Sequence, residues 1–286
     1  MAARRVRGRP RAPFELSSPR IAGRQGLEIG GPSPIFSEKG LLPFYPIVGS
    51  LDNCNFAADT IWEGAILEGK TFYYDANRDP GQQFILDGAD LSAIEPATYD
   101  FVLSSHTIEH IADPIRALLE WKRVLRDDGT LILVVPHKDR TFDHRRPVTT
   151  IEHLREDFAQ RVTAEDSTHV DEFRELIDLA CVPELRPSEL AERLGAIQDN
   201  RAIHHHVFTT DLVVQLLDEV GLQILAVHGT WPAHIIATAR VPGRRESIRN
   251  DRFLGAAAPF RKGIFPSDRE PTPKARPASS SQTRIT

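Results

Sequence analysis

Two cysteines, one methionine and three tryptophans are all that 286 residues contain of those types. Cys54 and Cys181 cannot build a disulfide framework, so a reducing, cytoplasmic setting is the default expectation. No run approaches the roughly 20 consecutive apolar residues of a membrane span. The basic opening MAARRVRGRPRAP has no apolar stretch behind it and so does not read as a secretory signal; it also lacks the serines and amphipathic spacing of a transit peptide. No internal repeat is present, which excludes a solenoid or propeller. Positive charge is scarce in the middle of the chain. Residues 1–24 hold seven arginines against Glu15, and residues 241–286 hold ten basic residues against four acids, so within a total of −5 residues 25–240 carry −17. A body that acidic repels a phosphate backbone, and no nucleic-acid partner is expected. The two basic ends read as a disordered leader over residues 1–24 and a disordered Pro-, Ser- and Arg-rich tail over residues 241–286.

What is present begins with residues 99–136. Phe101-Val102-Leu103 is an apolar run too short for a helix and reads as a buried strand. Asp113-Pro114 is a helix start, with Asp as N-cap and Pro at the first helical position, where its missing N–H costs nothing. Ile115, Leu118, Leu119 and Leu125 recur on one helical face, and Asp127-Asp128-Gly129 stops the helix through a left-handed glycine. Leu131 to Val135 is then a second, continuously apolar strand. Strand, helix and strand make a βαβ unit of a parallel sheet covered on both faces. Ligands of such sheets sit beyond the carboxyl ends of the strands, here Ser104-Ser105-His106 and Pro136-His137.

Upstream, the stretch QGLEIGGPSP puts Gly30-Gly31 directly after the apolar Leu27 and Ile29, where a backbone can turn sharply and approach a ligand. The words Asp100-Phe101-Val102, Glu109-His110, Asp113-Pro114, Arg123-Val124-Leu125, Gly129-Thr130-Leu131 and Pro136, preceded by this loop, resemble a class I S-adenosylmethionine-dependent methyltransferase of the methyltransferase type 11 group. The resemblance runs over residues 25–136 by motif and 200–240 by pattern. It implies a Rossmann-like, doubly wound, mostly parallel α/β sheet with S-adenosylmethionine as cofactor. In that family the loop reads acidic-x-Gly-x-Gly-x-Gly; Glu28 and Gly30 match its first positions, while Pro32 and Pro34 replace later glycines. No Gly-x-Gly-x-x-Gly dinucleotide fingerprint is present.

The remaining site residues follow. Thr71 to Asp75 reads as the second strand, and a carboxylate at its end, Asp75, can accept both ribose hydroxyl protons. Phe84-Ile85-Leu86 reads as the third strand. By the resemblance, Asp87 after it receives the adenine amino group, with Asp90 as fallback, and a backbone N–H at Asp87-Gly88 reads the ring. Ser105 and His106 line the cofactor pocket, with His106 near the methyl. The polar loop after residue 136 is where a substrate would be held: His137, His144 or His106 as general base, since histidine titrates near neutral pH, and Asp143, Arg145 and Arg146 as binding groups. Residues 35–70, broken by Pro43, Pro46 and Gly49, read as a lid-like insertion or part of the substrate wall carrying Phe44, Tyr45, Asn53, Asn55 and Trp62, with an insertion packed by its own aromatics as the alternative. Residues 137–200 read as an inserted helical cap within a methyltransferase domain of residues 25–240. Thr209 or Thr210 caps a helix ended by Gly221, and residues 222–227 and 234–239 form a closing antiparallel pair.

The expected activity is methyl transfer to a small molecule, with no metal ligand assigned. Three alternatives compete. His106-x-x-Glu109-His110 fits the inverted zinc peptidase motif letter for letter, but that chemistry needs all three residues inside one helix. His204, His205 and His206 with loop acids suggest a metal-dependent methyltransferase; in extended chain His204 and His206 share a side. The altered glycine loop also permits a methyltransferase-like binding protein without turnover.

Overall fold

Along the strand at residues 99–105, Phe101 and Leu103 enter one apolar cluster and Val102 the other; in the strand that follows, Ile132 and Val134 alternate in the same way with Leu131, Leu133 and Val135. Burial on both faces is the condition for a parallel sheet inside an α/β sandwich. The computed structural model describes residues 11–183, 185–196 and 201–269. In chain order the elements are α1 (Arg11–Ile21), β1 (Gln25–Ile29), β2 (Ser50–Asn55), β3 (Gly69–Phe72), β4 (Gly81–Ile85), β5 (Tyr99–Ser105), α2 (Pro114–Val124) and β6 (Leu125–Pro136). There follow α3 (Ile151–Gln160), α4 (Val170–Leu176), α5 (Pro187–Gly195), α6 (Thr210–Glu219), β7 (Gln223–Thr230), β8 (His234–Arg240) and the short α7 (Asp251–Leu254). The sheet runs β3-β4-β2-β1-β5-β6-β8-β7. Strands β4, β2, β1, β5 and β6 are mutually parallel, β8 is antiparallel to both β6 and β7, and β3 is antiparallel to β4. The doubly wound architecture is therefore as expected. So are the Asp113 cap, which accepts from the Arg116 amide, and the Thr209 cap, which accepts from Leu212.

Four expectations are corrected. The second parallel strand is Ser50–Asn55, inside the supposed insertion at residues 35–70, and Thr71 to Asp75 lies at the end of the antiparallel edge strand β3. Helix α2 ends at Val124, β6 starts at Leu125, and the left-handed residue is Asp128 (φ +61°), not Gly129. In the leader, residues 1–10 lie outside the described residues, but residues 11–21 form α1; Ile21 is fully buried and the Ser17 and Thr238 hydroxyls are 3.0 Å apart. In the tail, residues 270–286 lie outside the described residues, while α7 and the two 3-10 turns after it bring Phe253, Phe260 and Phe265 into the main core. Just before α7, Asn250 acts as a substitute strand for β7: its Oδ1 accepts from the Ile224 amide at 2.9 Å and its Nδ2 donates to the Leu222 carbonyl at 2.8 Å. Helices α3, α4 and α5 lie between β6 and α6 in the chain. No helix among the described residues is long and apolar enough to cross a membrane.

Candidate active site

Because β1, β2, β4 and β5 are parallel, their carboxyl ends converge on one edge of the sheet. A cavity of about 780 Å³ opens there, lined by Ile29 and Gly30 after β1, Asn55 at the end of β2, Gly88 beyond β4, and Ser105 and His106 at the end of β5. The glycine loop is shaped to it. Gly30 has φ +81°, and a Cβ there would stand 2.4 Å from the Thr107 hydroxyl; a Cβ on Gly31 would stand 2.3 Å from the Glu28 carboxyl. Gly31 is also clamped by Asn53, whose Oδ1 accepts from its amide and whose Nδ2, with that of Asn55, donates to its carbonyl, each at 3.0 Å. On the other side of the cavity Trp121 donates from Nε1 to the Gly88 carbonyl at 2.8 Å, fixing the turn after β4.

Gly30, Gly88, Ser105 and His106 thus come together as expected, and other expected residues do not. Glu28 is fully buried, accepting from the Ser33 amide at 3.0 Å and the Tyr45 hydroxyl at 2.7 Å, so both side chains brace the loop from behind and Tyr45 does not line the cavity. Gly31 likewise lies behind the lining. Asp75 sits in an exposed turn, accepting from the Asn77 amide. Its strand runs against β4, so it ends at the opposite edge of the sheet, beside the starts of β1 and β2. The parallel second strand ends instead on an amide, Asn55. Asp87 reaches the site through Arg201, whose Nη2 it holds at 2.6 Å and whose guanidinium lines the cavity over the Phe56 ring.

The loop after β6 is corrected more heavily. His137 is fully buried beneath the C-terminal segment, its ring stacked on Phe265 at 3.9 Å and its Nε2 3.2 Å from Asp268. His144 and Arg145 turn outward to Asp178, at 2.8 and 3.0 Å. Arg146 is buried between Asp143, Glu172 and the His204 carbonyl. Asp143 hydrogen-bonds His204 Nδ1 rather than a substrate.

The titratable groups in the cavity lining include His106, Glu109, His110, His204 and His234, and Trp62 and Trp231 also line it. Glu109 is fully buried, and neither carboxylate oxygen has a hydrogen-bond partner among the described residues. Its Oε1 lies 3.8 Å from His106 Nδ1 and 3.9 Å from Nε2 of both His110 and His204. Burial pushes the Glu109 carboxyl up to about 7, with His204 opposing the rise. His204 moves the other way. Burial alone would lower its pKa, but the charge and hydrogen bond of Asp143, followed by Glu109, outweigh it and leave the imidazole above its ordinary value. His106, with φ +53° and Nε2 2.8 Å from His234 Nδ1, is pushed down by burial and by the neighbouring His234 and His204 rings, so it is neutral at pH 7. The peptidase geometry is absent: Ile108–His110 is one 3-10 turn, His106 stands outside it in a left-handed conformation, and the motif spans no α-helix. Glu109 and His204 were visible in the sequence as a motif letter and a member of the histidine triplet. Their juxtaposition comes from the amides of His205 and His206, which donate to the Glu109 carbonyl at 2.7 and 3.3 Å across 96 and 97 residues.

The strand order agrees with the fold expected from the sequence. Without its antiparallel edge strand, the sheet reads third-second-first-fourth-fifth-seventh-sixth with the seventh strand reversed, the arrangement of class I S-adenosylmethionine-dependent methyltransferases. Residues 70–133 match a family model described as "Methyltransferase domain". Among solved structures, the chain is similar to a methyltransferase candidate from Bacillus halodurans (12% identity, 82% of this chain and 100% of that one, TM-score 0.47). It is also similar to an S-adenosylmethionine-dependent methyltransferase from Methanosarcina mazei (14%, 81% and 99%, 0.46) and one from Mesorhizobium loti (11%, 79% and 95%, 0.44). No curated protein matches the chain in sequence. The matched segment and the strand order agree with the resemblance to class I S-adenosylmethionine-dependent methyltransferases drawn from the sequence, whose cofactor is S-adenosylmethionine. The residues present fit that cofactor: a glycine turn that a side chain would fill, an apolar wall of Ile29, Cys54 and Ile111, and a buried, unpartnered carboxylate suited to a cationic ligand.

Proposed function

We propose that the enzyme methylates a small-molecule acceptor held beneath the cap, and that Glu109, backed by His204 and Asp143, takes the acceptor's proton. The observation that carries this reading is the buried, unpartnered Glu109 carboxylate in the cavity wall with three imidazoles around it. The volume of about 780 Å³ falls within the range of small-ligand pockets, and the cap residues Phe142 and Arg193 close part of its wall. S-adenosylmethionine, when bound, supplies an electrophilic methyl on a sulfonium. The protein's contribution is to align the acceptor for in-line attack and to move a proton. Gly30, Gly88, Ser105 and His106 hold the cofactor's side of the cavity, and Asn55 stands where an acid was expected for the ribose. A carboxyl poised near 7 is suited to accept a hydroxyl or amine proton at neutral pH. Asp143 orients His204 so that Nε2 faces Glu109 and shares the charge. His106, neutral and strained in place, positions the acceptor.

Glu109→Gln should lower kcat for S-adenosylhomocysteine release by roughly 10²–10⁴-fold while calorimetric affinity for S-adenosylhomocysteine changes less than about threefold. The wild-type rate should climb with pH through about 7 and level off, since the base must be ionised. Full activity in the variant would remove Glu109 from the reaction.

A further inference from the structure

On the far side of the segment that carries His204, three other histidines and an aspartate close on one another. His153 and Asp157 are one turn apart on α3, His169 immediately precedes α4, and His206 lies on the segment leading into α6. His153 Nε2 stands 3.0 Å from His169 Nε2 and 3.4 Å from Asp157 Oδ2, which is 3.8 Å from His206 Nε2. One nitrogen from each ring lies within 4.8 Å of the others. Ligand atoms at 2.0–2.1 Å from a tetrahedral zinc ion stand about 3.3 Å apart. The three imidazoles, with the Asp157 carboxylate beside His153, therefore stand close enough for one small ion to gather them.

Hydrogen bonding leaves two atoms of this group over. Asp157 Oδ2 and His206 Nδ1 are buried with no hydrogen-bond partner among the described residues. An orphaned carboxylate oxygen and an orphaned imidazole nitrogen side by side are costly unless something cationic satisfies both. His206 Nε2 faces the Ala112 carbonyl at 3.1 Å, the outer hydrogen bond by which metal-bound histidines fix the tautomer that turns the other nitrogen to the ion. The Glu109, His110 and His204 group at the cavity is built differently. There both Nδ1 atoms are engaged, by Ile203 and Asp143, and the group lines the open cavity.

We propose that His153, Asp157, His169 and His206 form a structural site for a divalent transition metal of the zinc class. Three imidazoles and one carboxylate are borderline ligands that favour such an ion over magnesium or calcium, and four protein ligands leave no open position for substrate. The metal ties α3, the start of α4 and the 203–207 segment into one unit, and so holds the segment whose backbone amides grip Glu109. It is independent of the acceptor and of the proposed base.

The test uses the full chain, stripped with a chelator and titrated with Co²⁺. One equivalent should bind with the intense visible ligand-field bands of a four-coordinate ion, and Zn²⁺ should displace it one for one. His169→Ala, at a half-exposed position, and Asp157→Asn should each weaken Co²⁺ affinity at least tenfold; circular dichroism and S-adenosylhomocysteine binding report that they are folded. Excess Zn²⁺ should raise the wild-type melting temperature by on the order of 5–10 °C and that of neither variant. Folded wild-type chain showing no such bands would overturn the proposal. So would bands that survive both variants and vanish in His110→Ala, which would place the ion at the cavity.

Discussion

Glu28 matches the acidic position of the family loop, yet it touches the loop and not the cavity. Burial pushes its carboxyl up to about 7 against the lowering effect of its Ser33 and Tyr45 hydrogen bonds. Because the folded pKa is raised above the ordinary carboxyl value of 4.5, the native state holds a proton that the unfolded chain has released. Its contribution to stability is complete below about 4.5 and is lost as pH rises through 7, a swing of about 3 kcal/mol. Glu28→Gln removes that swing. Between pH 5 and 8 the melting temperature of the variant should fall less than that of the wild type, by on the order of 5 °C; parallel curves would show that Glu28 is ionised in the fold.

Helix α2 shows what the family words do. Asp113 caps it, Arg123 donates to the Ile94 and Leu91 carbonyls at 2.8 and 2.7 Å, Glu120 accepts from the Leu91 amide, and Trp121 holds Gly88. These contacts fix the turn after β4 against the cavity. Trp121→Phe keeps the ring but leaves the Gly88 carbonyl unpaired. It should cost about 1–3 kcal/mol in urea unfolding and weaken S-adenosylhomocysteine binding several-fold; unchanged affinity would mean that the turn stands without its tether. The same contacts explain why this part was legible: caps, apolar periods and local hydrogen bonds all lie within some forty residues of chain. Strand β2 was not legible because SLDNCN is polar. Its buried Asp52, Asn53 and Asn55 are satisfied by Gln82, Tyr99, Gln83 and Gly31, partners invisible to a local pattern. TFYYD imitated a central strand because an edge strand can be as aromatic as a buried one. Of the expected bases only His106 reaches the cavity, since what withdraws His137 is Phe265, more than a hundred residues away in a tail whose basic composition hid three core phenylalanines.

At the scale of the molecule, both borders of the sheet are finished. One border is β3, short and antiparallel. The other is β7, at whose start Asn250 takes the Ile224 amide and the Leu222 carbonyl and Arg252 donates to the Leu225 carbonyl at 2.7 Å. Asn250→Ala should lower unfolding free energy by about 1–3 kcal/mol, and an unaltered denaturation midpoint would show that water replaces it freely. A row of free strand donors and acceptors is a template for another chain. By occupying the start of that template, the Asn250 and Arg252 side chains hinder a ninth strand from a second copy from pairing there. Thioflavin-positive fibrils on mild heating should therefore arise in the Asn250→Ala variant well before they do in the parent.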